Sequence, residues 1–359
     1  IKMDNKNVFI AIALSMSVLL FWGAFFETPR QINENQSQNK NEIIKKNEQS
    51  EITPNILPEK IITEISRKDA LTKVDRIIVE NEKVTGSISL QGAIFDDLSF
   101  KNYKTTLDSE ENVIFLNPKE TQDGYYIESG WTSVGNKIAV PNLDTIWKVK
   151  GNRVLSNNSD VTLEWDNGRG LTFTKTISLD EKYLFKIKQK VKNNTSSEVS
   201  LYPYAQITRN KKPDDVMGFY ILHEGFIGVF DGELKEDDYD DVKDKKIVRN
   251  SDNGWLGITD KYWVTAIVPP EDQNFKSSFL YKDNFRANYI LNSPVSISSK
   301  TSSENEVRLF VAAKEVETVD GYAESENIDK FDLTIDWGWF YFFTKPLFFI
   351  IDYLFKYSG

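Results

Sequence analysis

Hydrophobic positions along this chain follow three different rhythms. Val8 to Phe26 (VFIAIALSMSVLLFWGAFF) holds no charged residue. As a helix rising 1.5 Å per residue it reaches about 28 Å, close to the thickness of a hydrocarbon core. Lys2 and Lys6 precede it, Glu27 and Arg30 follow it. This bias predicts a membrane anchor with its N-terminus in the cytoplasm and Trp22 at the far interface. A cleaved signal peptide is the rival, but it would have a shorter apolar run and a small-residue cleavage site. Here Ala24 is followed by Phe25, Phe26 and Glu27.

Beyond the anchor the rhythm stops. QINENQSQNKNEIIKKNEQSEITPNILPEK is polar and poor in aromatics, so it cannot bury enough apolar surface to offset its ordering entropy. A flexible tether over 27–73 is expected.

From about Val74 the period becomes two. In LTFTKTISL (Leu171 to Leu179), Leu171, Phe173, Lys175, Ile177 and Leu179 share one face. Next, Phe185, Ile187, Gln189 and Val191 alternate with Lys186, Lys188, Lys190 and Lys192. Such alternation predicts half-buried antiparallel strands. SLDEKY supplies a turn, and WDNGRG is an Asn-Gly hairpin signal. SISLQGAIFDDLSF and WLGITDKYWVTAIVPP continue the pattern. Glu315 to Glu326 is the short helical exception. The fold class is therefore all-β, one large sandwich over 74–326. The lysine row reads as the guard of an exposed edge strand rather than a lipid or ligand patch.

The closing stretch, IDWGWFYFFTKPLFFIIDYLFKYSG (Ile335 to Gly359), is aromatic and apolar yet charged. On a helical wheel from Tyr341 to Tyr357, Lys345, Asp352 and Lys356 fall within about 40° of one another. Phe342, Phe343, Leu347, Ile350, Ile351, Leu354 and Phe355 take the remaining circumference. Phe349 falls beside the charges. A membrane span would place three charges in hydrocarbon, at about 2.5–3.5 kcal/mol each near the centre. Lying flat keeps them among headgroups, where Trp337 and Trp339 also prefer to sit. The expectation is an amphipathic interfacial helix. Its membrane-interface residues are Trp337, Trp339, Phe343, Lys345, Phe348, Asp352 and Lys356, together with Trp22 of the anchor. Pro346 suggests a start near Lys345.

Composition removes several functions. With 44 basic and 54 acidic residues the net charge is −10, the wrong sign for nucleic acid. No cysteine is present, which excludes disulfides, thiolate catalysis and cysteine-ligated zinc. The single histidine, His223, beside Glu224, makes a multi-histidine metal site impossible and reads as structural. DGELKEDDYDDVKDKK (Asp231 to Lys246) lacks the spacing of a calcium loop and reads as a solvated loop. No nucleotide or hydrolase motif appears. Neither an enzyme nor a cofactor is expected. Ile1 and Lys2 ahead of Met3, and the abrupt end at Gly359, read as signs of a fragment.

MDNKNVFIAIALSMSVLLFWGAFF, KVTGSISLQGAIFDDLSFKNYK, LEWDNGRGLTFTKTISLDEKYLF, GWLGITDKYWVTAIVP and FDLTIDWGWFYFFTKPLFFIIDYLFKYSG resemble the bacterial membrane protein insertase family YidC. The resemblance spares only the tether. It implies a periplasmic β-supersandwich similar in fold to galactose mutarotase. It also implies residues 1–7 in the cytoplasm, an anchor at 8–26, and an interfacial segment at 327–359 leading to a second transmembrane helix. The parent would insert and fold inner-membrane proteins, alone or with the Sec translocon. Its partners would be the lipid bilayer and nascent membrane proteins, not nucleic acid. The insertase groove would lie after Gly359. The alternative is a membrane-anchored sugar- or peptide-binding sandwich, whose ring-opening chemistry would need more than one histidine.

Overall fold

The computed structural model describes residues 65–134, 137–214, 216, 222–338 and 341–358. The expected anchor, and the expected tether up to residue 64, lie outside them. The last part of the 27–73 segment is not tether. Helix α1 (Arg67–Thr72) begins there, capped by Ser66, whose hydroxyl accepts the Asp69 amide at 3.1 Å. Arg67 explains why it stays put. Its guanidinium donates to the Leu116 carbonyl at 3.1 Å and to Asn117 Oδ1 at 2.8 Å, and it pairs with Asp97.

The described residues build two sheets. The nine-stranded sheet runs, in spatial order, Glu233–Asp237, Gly225–Phe230, Gly254–Thr259, Trp263–Val268, Ser302–Ala313, Leu184–Asn193, Leu171–Leu179, Val161–Asp166 and Lys148–Lys150. The eleven-stranded sheet is centred on Val199–Arg209, Tyr125–Thr132 and Phe95–Lys104. Strands pair antiparallel except Arg76–Glu80 with Val154–Leu155. One continuous apolar core joins the sheets, with Phe100 and Tyr289 from one and Phe185, Ile177 and Phe310 from the other. This is the expected all-β sandwich.

Period-two alternation carries it. Leu171, Phe173, Lys175, Ile177 and Leu179 are all buried, and Thr172, Thr174, Thr176 and Ser178 are half-buried on the other face. The hairpin before them turns through Gly168 (φ +67°) and Gly170 (φ +90°), a left-handed backbone that favours glycine. The Asn167 side-chain oxygen accepts the amides of Arg169 and Leu171.

Two expectations are corrected. The lysine-bearing strand Leu184–Asn193 is no edge. It lies between Leu171–Leu179 and Ser302–Ala313. Lys188 and Lys190 face outward opposite Glu306 and Glu304, favourable cross-strand pairs that an interior strand can carry on its wet face. The acidic segment 231–246 is not a loop either. It forms the edge strand Glu233–Asp237 and helix α2 (Tyr239–Asp244). Tyr239 and Val242, one turn apart, are buried and anchor the helix while its acids face out.

The helix expected near Glu315–Glu326 is present as α3 (Val316–Ser325). Val316, Thr318, Val319 and Tyr322 are its buried face. The carboxylate of its N-cap residue, Glu315, gathers four side chains. Lys83 Nζ lies at 3.0 Å, and the hydroxyls of Tyr103, Tyr183 and Thr318 donate at 3.0, 2.9 and 2.9 Å. Burial alone would raise the Glu315 pKa; the donors from Lys83, Tyr183 and Thr318 outweigh it and hold the pKa below its ordinary 4.5. A lowered folded value means that the stabilisation is complete above about pH 4.5 and fades as pH falls through the folded value. Glu315→Gln is expected to cost about 1.5–3 kcal/mol at pH 7 by denaturant unfolding. Its deficit should shrink as the pH is lowered below the carboxylate range, and an unchanged deficit would contradict the charge-based account.

Candidate membrane-facing site

The chain leaves α3 through a single 3-10 turn, Phe331–Thr334, and reverses at Gly338 (φ +68°). Asp336 fixes this reversal. Its two oxygens accept the Gly338 amide at 2.7 Å and the His223 amide at 3.2 Å. Helix α4 (Tyr341–Ser358) follows. It starts a turn earlier than Pro346 suggested, and the proline lies inside it. There its missing N–H forfeits one intrahelical bond, the one to the residue 342 carbonyl. Contacts to the rest of the chain hold the first turn. Thr344 Oγ1 donates to the Trp337 carbonyl at 2.8 Å.

Lys345 is the main attachment. Its ammonium reaches Asp320 of α3 at 3.1 Å and Asp332 of the 3-10 turn at 3.4 Å, and lies 5.9 Å from the Trp337 ring centroid. Burial would lower its pKa, but the Asp320 hydrogen bond and both carboxylate charges raise it. Phe348, one turn on, meets the Trp337 ring edge-on at 5.5 Å. The start of α4 is therefore held at the sandwich's helical end. Most of its apolar side chains are exposed. Phe343 is 63% exposed and Phe355 72%, and Phe342, Ile350, Ile351 and Leu354 are exposed with them. No helix among the described residues is long and apolar enough to cross a membrane.

The expected interface residues thus separate. Lys345 turns toward the sandwich, and Phe348, though exposed, lies against Trp337. Phe343 is exposed, and Asp352 is half-buried. Trp22, Trp339 and the Lys356 side chain lie outside the described residues. Asp320 and Asp332 had no signal in the sequence, because they meet Lys345 only through the fold.

The interior offers little chemistry. His223 Nε2 is 2.9 Å from the Phe226 carbonyl, and Nδ1 is 3.5 Å from Asp238. Glu224 accepts the Lys261 amide at 3.0 Å. Each is bonded elsewhere, so the two do not form an acid–base pair. Lys175, buried between the sheets, donates to the Ser129 carbonyl at 2.5 Å and lies 5.2 Å from the Trp147 ring centroid. Burial pushes its pKa down to about 8, with the Glu128 charge opposing. Among the described residues no group of three or more His, Asp or Glu could hold a metal.

A match to the YidC periplasmic domain family covers residues 76–350, from the first strand into α4. The chain belongs to the YidC family. A protein of Pelagibacter ubique named membrane protein insertase YidC is 46% identical over 358 residues, covering 99% of this chain and 63% of that one. Its namesake in Sinorhizobium medicae is 38% identical over 379 residues, covering 99% and 62%. The chain therefore spans somewhat under two thirds of the length of these YidC relatives. Among solved structures, a galactose mutarotase-related enzyme of Lactobacillus acidophilus aligns with a TM-score of 0.46 at 10% identity, over 66% of this chain and 97% of that one.

The YidC match takes in sandwich, α3 and most of α4 together, so the Lys345 attachment lies within one family unit. Lys345→Glu should release α4, and adding Asp320→Lys should recover part of it. A double-mutant cycle is expected to give a coupling of about 0.5–1 kcal/mol, weakened by salt. Additive effects would mean that the ion pair does not hold the helix.

Proposed function

We propose that this chain is the N-terminal portion of an insertase. In this reading residues 8–26 anchor it in the inner membrane, residues 1–7 are cytoplasmic, and the sandwich is periplasmic. Helix α4 lies along the outer leaflet with its exposed apolar side chains in lipid. The observation that carries the reading is the attachment of α4 to the domain through Lys345 near its start, while the apolar side chains Phe343, Ile350, Ile351 and Phe355 are exposed. A uniformly apolar helix would favour crossing, and a covered one would favour a place in the core.

The work of insertion, in this proposal, belongs to the portion of the relatives beyond the matched region. It needs no covalent chemistry and no cofactor. A polar path in the bilayer lowers the cost of moving hydrophilic segments, and the present chain would position that path. Nascent inner-membrane proteins and the Sec translocon are the proposed partners of the whole protein.

The chain has no cysteine, so Leu354→Cys and Phe343→Cys give unique labelling sites. Attached to the reconstituted chain, an environment-sensitive dye should shift to the blue. Headgroup-level quenchers should reach it, and bilayer-centre quenchers should not. A depth difference of about 16 Å between the two sites, with Leu354 the deeper, would establish a span and defeat the interfacial reading. Vesicles carrying this chain alone are expected to insert no test substrate.

A further inference from the structure

The segment leading into α4 forms one wall of a cavity of about 540 Å³. Its other walls are Tyr103 and Lys104 at a strand end, the hairpin tip Lys261–Trp263, and Ala313–Lys314. Three lysines and one carboxylate, Asp336, line it. In a chain of net charge −10 this is a local reversal of sign. The carboxylate is already committed to the two backbone amides of the chain reversal.

The lysines differ in how they are engaged. Lys104 donates to the Glu110 carbonyl at 2.8 Å, and Lys261 lies 5.0 Å from the Tyr262 ring centroid. The Lys314 ammonium has no hydrogen bond or ion pair among the described residues, although its backbone amide donates to Tyr262 at 2.9 Å. Burial brings its pKa down to about 8 against the pull of Asp260, Asp336, Glu224 and Glu236. Those carboxylates do not fill the cavity. Asp260 pairs with Arg209 at 2.7 Å, Glu224 accepts the Lys261 amide, and burial pushes Glu236 toward its neutral form. A half-buried ammonium left without a partner favours an anion able to approach it.

Three aromatic side chains, Tyr103, Tyr262 and Trp263, frame the same space, with Trp263 stacked on Phe100 at 4.9 Å. Tyr and Trp suit the zone between lipid and water. A metal ion has the wrong charge for this lining, and an acyl chain would desolvate three ammonium groups.

We propose that this cavity takes the phosphate headgroup of an anionic phospholipid from the membrane on which α4 rests. The inference depends on the interfacial reading of α4, because the wall Ile335–Asp336 leads directly into that helix. An acidic peptide offers similar charge but not that proximity.

The test is hydrogen exchange on the full chain in nanodiscs of phosphatidylcholine, alone or with phosphatidylglycerol. Segments 101–105, 260–264 and 313–316 should slow by about threefold or more only when phosphatidylglycerol is present. Segment 341–355 should be protected in both. Lys261→Gln, at an exposed position, and separately Lys314→Gln should each diminish the phosphatidylglycerol effect. Protection of 341–355 in both discs with no response in the cavity segments overturns the headgroup site and leaves the α4 reading intact. Loss of protection at 341–355 in both overturns the two together. Glycerol phosphate protecting the cavity segments without lipid, to the extent that phosphatidylglycerol does, would assign the site to a soluble phosphate ester. Polyglutamate acting where phosphatidylglycerol does not would assign it to a peptide. Either result displaces the lipid.

Discussion

The helical end of this protein depends on where one carboxylate finds its donors. Glu315 sits at the start of α3 and draws Lys83 and Tyr103 from the eleven-stranded side and Tyr183 from the turn before Leu184–Asn193. Charge-assisted bonds of this kind are roughly twice as strong as neutral ones, and each fixes a direction. With that end fixed, Phe310 meets Tyr322 of α3 at 5.2 Å and Phe331 of the 3-10 turn at 4.8 Å. Asp320 and Asp332 are then held where Lys345 can bridge them. The pose of α4 is inherited from the sheets through one helix and one turn.

The sandwich itself tolerates polar groups in its interior. Lys175, Gln189 and Asn305 stand directly opposite one another on three adjacent strands, all buried. On the far face of the other sheet, Glu128, Gln206 and Asn288 form a hydrogen-bonded row at 3.0 and 3.2 Å. Because side-chain direction repeats every two residues, a one-residue slip would put each row on the wrong face. The bonded row penalises a slip, since an unpaired amide in an apolar interior is costly, whereas the Gln189 and Asn305 side-chain amides have no hydrogen-bond partner among the described residues even in the native register.

The strands with strict alternation were legible, because Leu171–Leu179 and Phe185–Val191 each bury one face only. The helix at Glu315–Glu326 was legible from its apolar spacing. What failed was information that strand order alone contains. A row of lysines marks an exposed face, but an exposed face is not an exposed edge, and only the pairing with Ser302–Ala313 decides between them. The acidic run hid Tyr239 and Val242 because two buried residues among twelve charges leave a weak period. At residue 67 the sequence showed a polar segment ending, while Arg67 was drawing it onto Asn117, fifty positions away.

The same limit governs the candidate site. A helical wheel groups Lys345 with Asp352 and Lys356 as a polar stripe, and a stripe next to a membrane suggests headgroups. Lys345 instead finds two carboxylates of its own chain. This difference changes the energetics of the proposed placement. A lysine facing only headgroups would let the helix tilt or sink at small cost. A lysine bound to a folded domain cannot enter hydrocarbon unless the domain follows or the pairing breaks, which would leave a partly desolvated cation and two acids unpaired. The attachment therefore opposes insertion of the first half of α4 while leaving its apolar side free. A span beginning at Tyr341 would have to overcome the fold as well as the charges, and the interfacial placement overcomes neither.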